Sequence, residues 1–187
     1  MSTSRPNAPY HHGNLRQALL EAALVMLEQE GEAGVGLRDL ARAVGVSPAA
    51  PYRHFASRAA LLEALAVTGY RRFTEAMEAV AVADTLDPAT AMGRTYVKFA
   101  LDNPNLFRLM FSPQLRRDRL PGLRMAADAA FRTLRHVIGG DVRQNRVAAL
   151  AAWARVHGLA VLLLDGQIAI DAGEDIEALV TEIIERR

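Results

Sequence analysis

Gly45-Val46-Ser47-Pro48-Ala49-Ala50-Pro51-Tyr52-Arg53-His54-Phe55 is the stretch on which the reading of this chain turns. Just upstream, Leu37, Leu40, Ala41 and Val44 recur at helical spacing, which predicts a short helix over 37–44 with one apolar face. Gly45 breaks it. Ser47 then offers an N-cap and Pro48 suits the first helical position, so a second helix is expected to run to about Phe55. Pro51 falls inside that helix and removes a first-turn hydrogen bond, which predicts a tighter or shorter helix than usual. Two helices joined by so short a turn make a helix-turn-helix unit. Small side chains at Ala49 and Ala50 let the tip of its second helix enter a major groove about 12 Å wide. Tyr52, Arg53 and His54 offer donors to phosphates or base edges, and Phe55 is expected to anchor the helix in the core. The bare pattern is also open to a second reading, two packed helices in any α-helical domain.

Working outward, a helix is expected from about Asn14, its cap, to Glu30, with Leu15, Leu19, Ala22, Ala23 and Met26 on one face and Gly31 as its stop. A long helix follows Ser57 and runs to about Ala83, roughly 37 Å at 1.5 Å per residue, enough to join two lobes. Asp87-Pro88 opens another helix, Asn103-Pro104 restarts a short one, and Pro121 to Ile138 keeps a tight apolar spacing. Gly139-Gly140 stops that helix, and Asp141 caps the next, to about Leu164. Ile176, Leu179, Val180, Ile183 and Ile184 form the stripe of a last helix over 174–185. Strand signals are nearly absent. The fold class is therefore all-α, with about nine helices. The expected organisation is an N-terminal arm over 1–13, a three-helix helix-turn-helix domain over 14–60, and a second helical domain over 61–187.

The composition agrees. Of 187 residues, 51% are hydrophobic and 23% charged, which supports a packed core and excludes disorder as the main state. With no cysteine, disulfides, zinc thiolates and a cysteine nucleophile are excluded. A net charge of +1 does not coat nucleic acid by charge alone, so DNA binding has to come from local placement. Lys98 is the only lysine and arginine supplies the other cations. Coding bias accounts for much of this, but the planar guanidinium also holds phosphate or guanine bidentately.

The polar start of the chain has no apolar signal core. The apolar run Val147 to Leu164 carries Arg155 and His157 in its middle, where a membrane would penalise charge. A cytoplasmic protein without a membrane partner is expected. On the arm, Arg5 suits either a minor-groove contact or a place on a disordered tail, while the neighbouring His11 and His12 do not make a metal site. Asp171, Glu174, Asp175 and Glu177 suit a helix N-terminus better than a metal. No cofactor or metal is expected. No catalytic constellation is found: there is no phosphate-binding glycine loop, no Gly-x-Ser-x-Gly and no His-Glu-x-x-His.

Tyr96, Phe99, Phe107, Met110, Phe111, Phe131, Trp153 and His157 lie on the C-terminal helices. They suit either plain core packing or an apolar pocket with a few polar tips. His157 is the sharpest of them, because a polar ring in an apolar helix has to find a partner.

Gly45-Val46-Ser47, then Tyr52-Arg53-His54-Phe55, then Arg58-Ala59-Ala60-Leu61-Leu62, closely resembles the N-terminal domain of the TetR family of transcriptional repressors. The match covers roughly Leu15 to Leu65. Trp153-Ala154-Arg155-Val156-His157-Gly158-Leu159 resembles the Trp-and-His-Gly subgroup of that family's ligand domains. The resemblance implies a ligand-responsive DNA-binding regulator, a repressor released from double-stranded operator DNA by a small molecule, dimeric through its last two helices. It implies that Ala49 and Ala50 face base edges, with Ser47 and Arg53 beside them. It further implies that Tyr52 and His54 contact phosphates, that Arg58 stands near another, and that Arg38 lies by the backbone or an edge base. A ligand pocket formed by Tyr96, Phe99, Phe107, Phe111, Trp153 and His157 is also implied. Gly36 departs from the family's usual Thr or Ser, so a cap and a phosphate contact are lost, and Ala59 replaces an acidic residue. The rival reading is a helical small-molecule-binding protein or enzyme whose helix-turn-helix is structural only.

Overall fold

A computed structural model describes residues 15–81, 87–115, 118–139, 141–171 and 173–186. The expected arm (1–13) and the Asn14 cap lie outside them. All regular structure among the described residues is helical: α1 (Leu15–Gly34), α2 (Leu37–Val44), α3 (Arg58–Ala81), α4 (Pro88–Asp102), α5 (Pro104–Met110), α6 (Pro121–Ile138), α7 (Val142–Leu164) and α8 (Ile176–Glu185), with one 3₁₀ turn at Pro51–Arg53. The chain divides into a unit over Met1–Leu61 and a unit over Leu62–Arg187, and α3 runs through the boundary.

In the N-terminal unit, α1 kinks at Gly31, where the expected stop falls, and makes one further turn to Gly34. Its buried stripe is Leu19, Leu20, Ala23, Leu24 and Leu27, while Leu15, Ala22 and Met26 are only half-buried. Leu37, Leu40 and Ala41 of α2 close on this face together with Val35 and Phe55. Gly45 sits at φ 74°, ψ 32°, the left-handed region that glycine enters without a Cβ penalty, and its N–H turns back to the Ala41 and Arg42 carbonyls. Gly36 gives α2 no side-chain cap.

The C-terminal unit is built around α4, which packs on α5, α6, α7 and α8. Three of its helix starts, those of α4, α7 and α8, are fixed by aspartates. Asp87 accepts from Ala89 and Thr90 N–H, Asp141 from Arg143 and Gln144 N–H, and Asp175 from Glu177 and Ala178 N–H. Helix C-termini are tied down by side chains from elsewhere in the chain. Asn145, buried on α7, donates to the Arg135 and Gly139 carbonyls at 2.6 Å each and accepts from Arg135 Nε at 2.7 Å. Arg108 donates to the Leu164 carbonyl and pairs with Asp165. Arg155 donates to the Ile184 and Arg186 carbonyls. Gly93 lets α8 approach α4: a Cβ there would lie 2.8 Å from Ile184 Cδ1. By length and composition α7 is apolar enough to cross a bilayer. Here it packs on α4 and α6 and buries Asn145, Ala149, Val156, Leu159 and Ala160.

Candidate nucleic-acid interface and ligand cavity

The second helix of the reading motif is not an α-helix. Ala50 N–H bonds to the Ser47 carbonyl (2.9 Å), Arg53 N–H to Ala50 (3.2 Å) and His54 N–H to Pro51 (3.0 Å), all of them three-residue spans. Pro51 has no N–H to bond Ser47 in α-helical register, so the segment closes as a turn followed by one turn of 3₁₀ helix. This corrects the expectation of an α-helix over 48–55. Ser47 therefore contributes its carbonyl to the turn and does not serve as a helix cap.

Pro51 and Phe55 are buried beneath the tip, and the Arg16 guanidinium lies 5.3 Å from the Phe55 ring centre. Anchored in this way, the tip presents Ser47, Ala49, Tyr52, Arg53 and His54 outward, with Ala50 half-buried. Tyr52 is 48% exposed, unusual for a large ring. Arg38, on α2, is also exposed. Arg58 is placed differently. Its Nε donates to the Val35 carbonyl at 2.9 Å, its terminal nitrogen to the Glu32 carbonyl, and Glu32 Oε1 lies 3.7 Å away. It thus ties the segment between α1 and α2 to the start of α3. No spacing or motif in the sequence announces this role for Arg58, nor the position of Arg16 over Phe55.

The C-terminal unit holds a cavity of about 520 Å³, within the usual range for small-molecule sites. Of the expected ligand residues, Tyr96, Phe111 and Trp153 line it, and Phe99, Phe107 and His157 do not. Phe107 is buried in an aromatic stack, 5.8 Å from Tyr96 and 4.9 Å from Phe111 between ring centres, and Phe99 packs 5.2 Å from Phe73. His157 lies behind the wall. Its Nδ1 is 2.8 Å from the Tyr96 hydroxyl, and Trp153 Nε1 donates to that same oxygen at 3.1 Å. An indole N–H only donates, so the phenol oxygen accepts it, and the same hydroxyl shares a hydrogen bond with His157 Nδ1. His157 therefore holds the Tyr96 ring in place.

Ala89, Gly93, Ala127, Ala130 and Ala152 also line the cavity, and these small residues are what leave it hollow. They are the signal in the sequence that would have located it. The acidic residues before α8 are engaged locally: Asp175 caps the helix and Glu174 Oε2 accepts from Asp171 N–H. Among the described residues no cluster of three or more His, Cys, Asp or Glu side chains is disposed for a metal.

A left-handed glycine turn leading to an exposed reading tip, on a chain that carries a separate hollow helical unit, defines a helix-turn-helix regulator. The comparisons with known proteins agree. Residues 19–65 match the family model "Bacterial regulatory proteins, tetR family", and residues 89–186 match "Tetracyclin repressor-like, C-terminal domain". A Rhodococcus sp. RHA1 protein described as of unknown function is similar at 34% identity and TM-score 0.81, over 96% of each chain. PfmR from Thermus thermophilus, a TetR family transcriptional regulator, shares the fold at 18% identity and TM-score 0.63, over 90% of this chain and 97% of that one. FadR from Bacillus subtilis, solved with stearoyl-CoA, shares it at 15% identity and TM-score 0.67, over 90% and 95%. No curated protein matches the chain. The chain belongs to the TetR family of ligand-responsive, DNA-binding transcriptional regulators.

Proposed function

We propose that this regulator is a cytoplasmic homodimeric repressor, held on operator DNA by the Ser47–His54 tip and released by a small molecule bound in the C-terminal cavity. The observation that carries the reading is the hollow beside Tyr96, Phe111 and Trp153, since a unit needed only for packing would fill it. In this reading Ala49 and Ala50 meet base edges, Tyr52 and His54 bond phosphates, and Arg38 and Arg53 add charge near the backbone. Arg58 acts from within, by fixing the approach to α2. The two alanines offer thymine-methyl contact, so indirect readout of DNA shape carries much of the specificity.

Dimerisation through α7 and α8 is supported by the apolar surface that α7 leaves open, where Val142 is 79% exposed and Val147 61%. A two-fold interface there would set two tips about 34–36 Å apart, one turn of DNA. Because α3 belongs to both units, a ligand pressing on Phe73 and Met77 would act on the helix that starts at Arg58. A coupling of about 1–3 kcal/mol is enough for a switch, and operator DNA must weaken the ligand by the same factor.

The test is binding of the full chain to duplexes tiled across the DNA flanking its own coding sequence, with and without cell extract metabolites. One duplex bound tightly, and released by a fraction that also alters Trp153 fluorescence, is the expected result. Equal binding to every duplex would overturn operator recognition. Sedimentation is expected to show a dimer at micromolar concentration and a monomer for Ile183→Glu. A monomer for the unmutated chain would remove the dimer.

A further inference from the structure

The lining of the C-terminal cavity is lopsided in its chemistry. Tyr70, Phe73, Tyr96, Phe111, Phe131 and Trp153 surround it with rings. Its carboxylates are Asp87, Asp128 and Glu185, against one guanidinium, Arg155. Resting on the reading of this cavity as the ligand site, we propose that its ligand is a planar aromatic cation.

The charges decide this. Arg155 is already engaged: it donates to the Ile184 and Arg186 carbonyls, at a helix C-terminus whose partial negative charge offsets its own. Asp87 is engaged too, capping the start of α4. What remains is Asp128 and Glu185, both exposed and neither with an ion-pair partner among the described residues. An anion entering here would face two uncompensated carboxylates against one guanidinium, one of whose terminal nitrogens already serves α8. A cation would meet the carboxylates at the rim and ring faces further in, where the negative face of each π-system attracts positive charge. The ring array favours a flat body, because stacked and edge-on contacts add to the area buried. The polar centre of the wall does not compete for the charge, since the Tyr96 hydroxyl is held by Trp153 and His157.

Trp153 lines the cavity and is the only tryptophan in the sequence, so intrinsic fluorescence reads occupancy directly. The probes are three tricyclic molecules of nearly one shape, measured at pH 7.5 on the full chain: N-methylacridinium, neutral acridine and anthracene-9-carboxylate. N-methylacridinium is expected to bind at least about tenfold more tightly than either of the others, a difference of about 1.4 kcal/mol. In the Asp128→Asn, Glu185→Gln double variant that advantage should shrink to about twofold, with acridine binding unchanged. Both positions are exposed, and a far-UV melt matching the unmutated chain will establish that the fold is intact. Equal binding of cation and neutral probe, tighter binding of the anion, or an unchanged preference in the double variant would each overturn the cation, while leaving the cavity as a ligand site. Absence of any Trp153 response to all three probes would remove the cavity reading itself, and the cation with it.

Discussion

Among the described residues tyrosine and histidine are paired twice, and the two pairs are used in opposite ways. Tyr52 and His54 stand outward at the end of the N-terminal unit, with nothing from the described chain bonded to their polar tips. Tyr96 and His157 face each other at 2.8 Å inside the C-terminal unit, among Phe107, Phe111 and Trp153. Tyr96 is 4% exposed, so its hydroxyl had to be satisfied internally. The outer pair leaves its hydrogen bonds to be made by another molecule. The inner pair uses them to fix the wall of a hollow. The unpaired tips are the ones offered to a hydrogen-bonding partner, while the paired ones shape the wall of a cavity.

The largest effect that separates the pairs is expected from Tyr52→Ala with His54→Ala. Each lost bond to a charged phosphate is worth about 1.5–3 kcal/mol, so affinity for operator should fall at least about a hundredfold. Fluorescence anisotropy should show the same fall on a scrambled duplex, and the melting curve should not move. A normal affinity in a folded double variant would break the comparison at its outer end.

Next is Tyr96→Phe, which leaves the Trp153 N–H and the His157 Nδ1 without the shared oxygen. A loss of about 1–3 kcal/mol in stability is expected, read by urea denaturation through Trp153 emission. Unchanged stability would mean that the inner pair is not a structural lock.

Trp153→Ala comes third. Operator affinity without ligand should hold within about twofold, while release should need at least about tenfold more ligand. Normal release would put the ligand elsewhere.

The smallest effect sharpens the comparison most. Tyr52→Phe removes one of the two phosphate bonds and should cost about 1.5 kcal/mol in DNA binding, the low end of the range for a bond to a charged group, and nothing measurable in stability, the reverse of the same substitution at Tyr96.

Much of the fold was legible because its ends are written in residue chemistry. Asp87-Pro88, Asp141 and Asp175 fix helix starts and Gly45 fixes a stop, all by local bonds that the sequence displays. The tip was half legible: Pro51 announced a shortened helix, but the resulting 3₁₀ geometry depends on which carbonyls the following N–H groups reach. The cavity was legible in its aromatic walls and not in its extent. Helical periodicity tells which side of a helix faces inward, and Phe99 and Phe107 do face inward, but into space already filled by Phe73 and Phe111. Asp128, Arg155 and Glu185 join the lining from α6, α7 and α8, and no spacing within one helix reveals their meeting.

The internal bonding of Arg58 bears on how this protein responds to its ionic surroundings. Within the N-terminal unit, Arg42 pairs with Asp39, Arg16 lies over Phe55, and Arg58 is bonded to the Glu32–Val35 segment. Arg38 and Arg53 remain as uncommitted cations among the described residues of that unit. Binding of DNA releases condensed counterions in proportion to the phosphates neutralised, about 0.9 per contact. Four such contacts in a dimer give a logarithmic slope of about −4 against salt, so affinity would fall only about a hundredfold between 50 and 200 mM, where proteins with six to ten contacts lose about 10³–10⁵. Arginines that hold the fold together release no ions when DNA arrives, and operator occupancy would then follow the ligand more closely than the osmotic state of the cell.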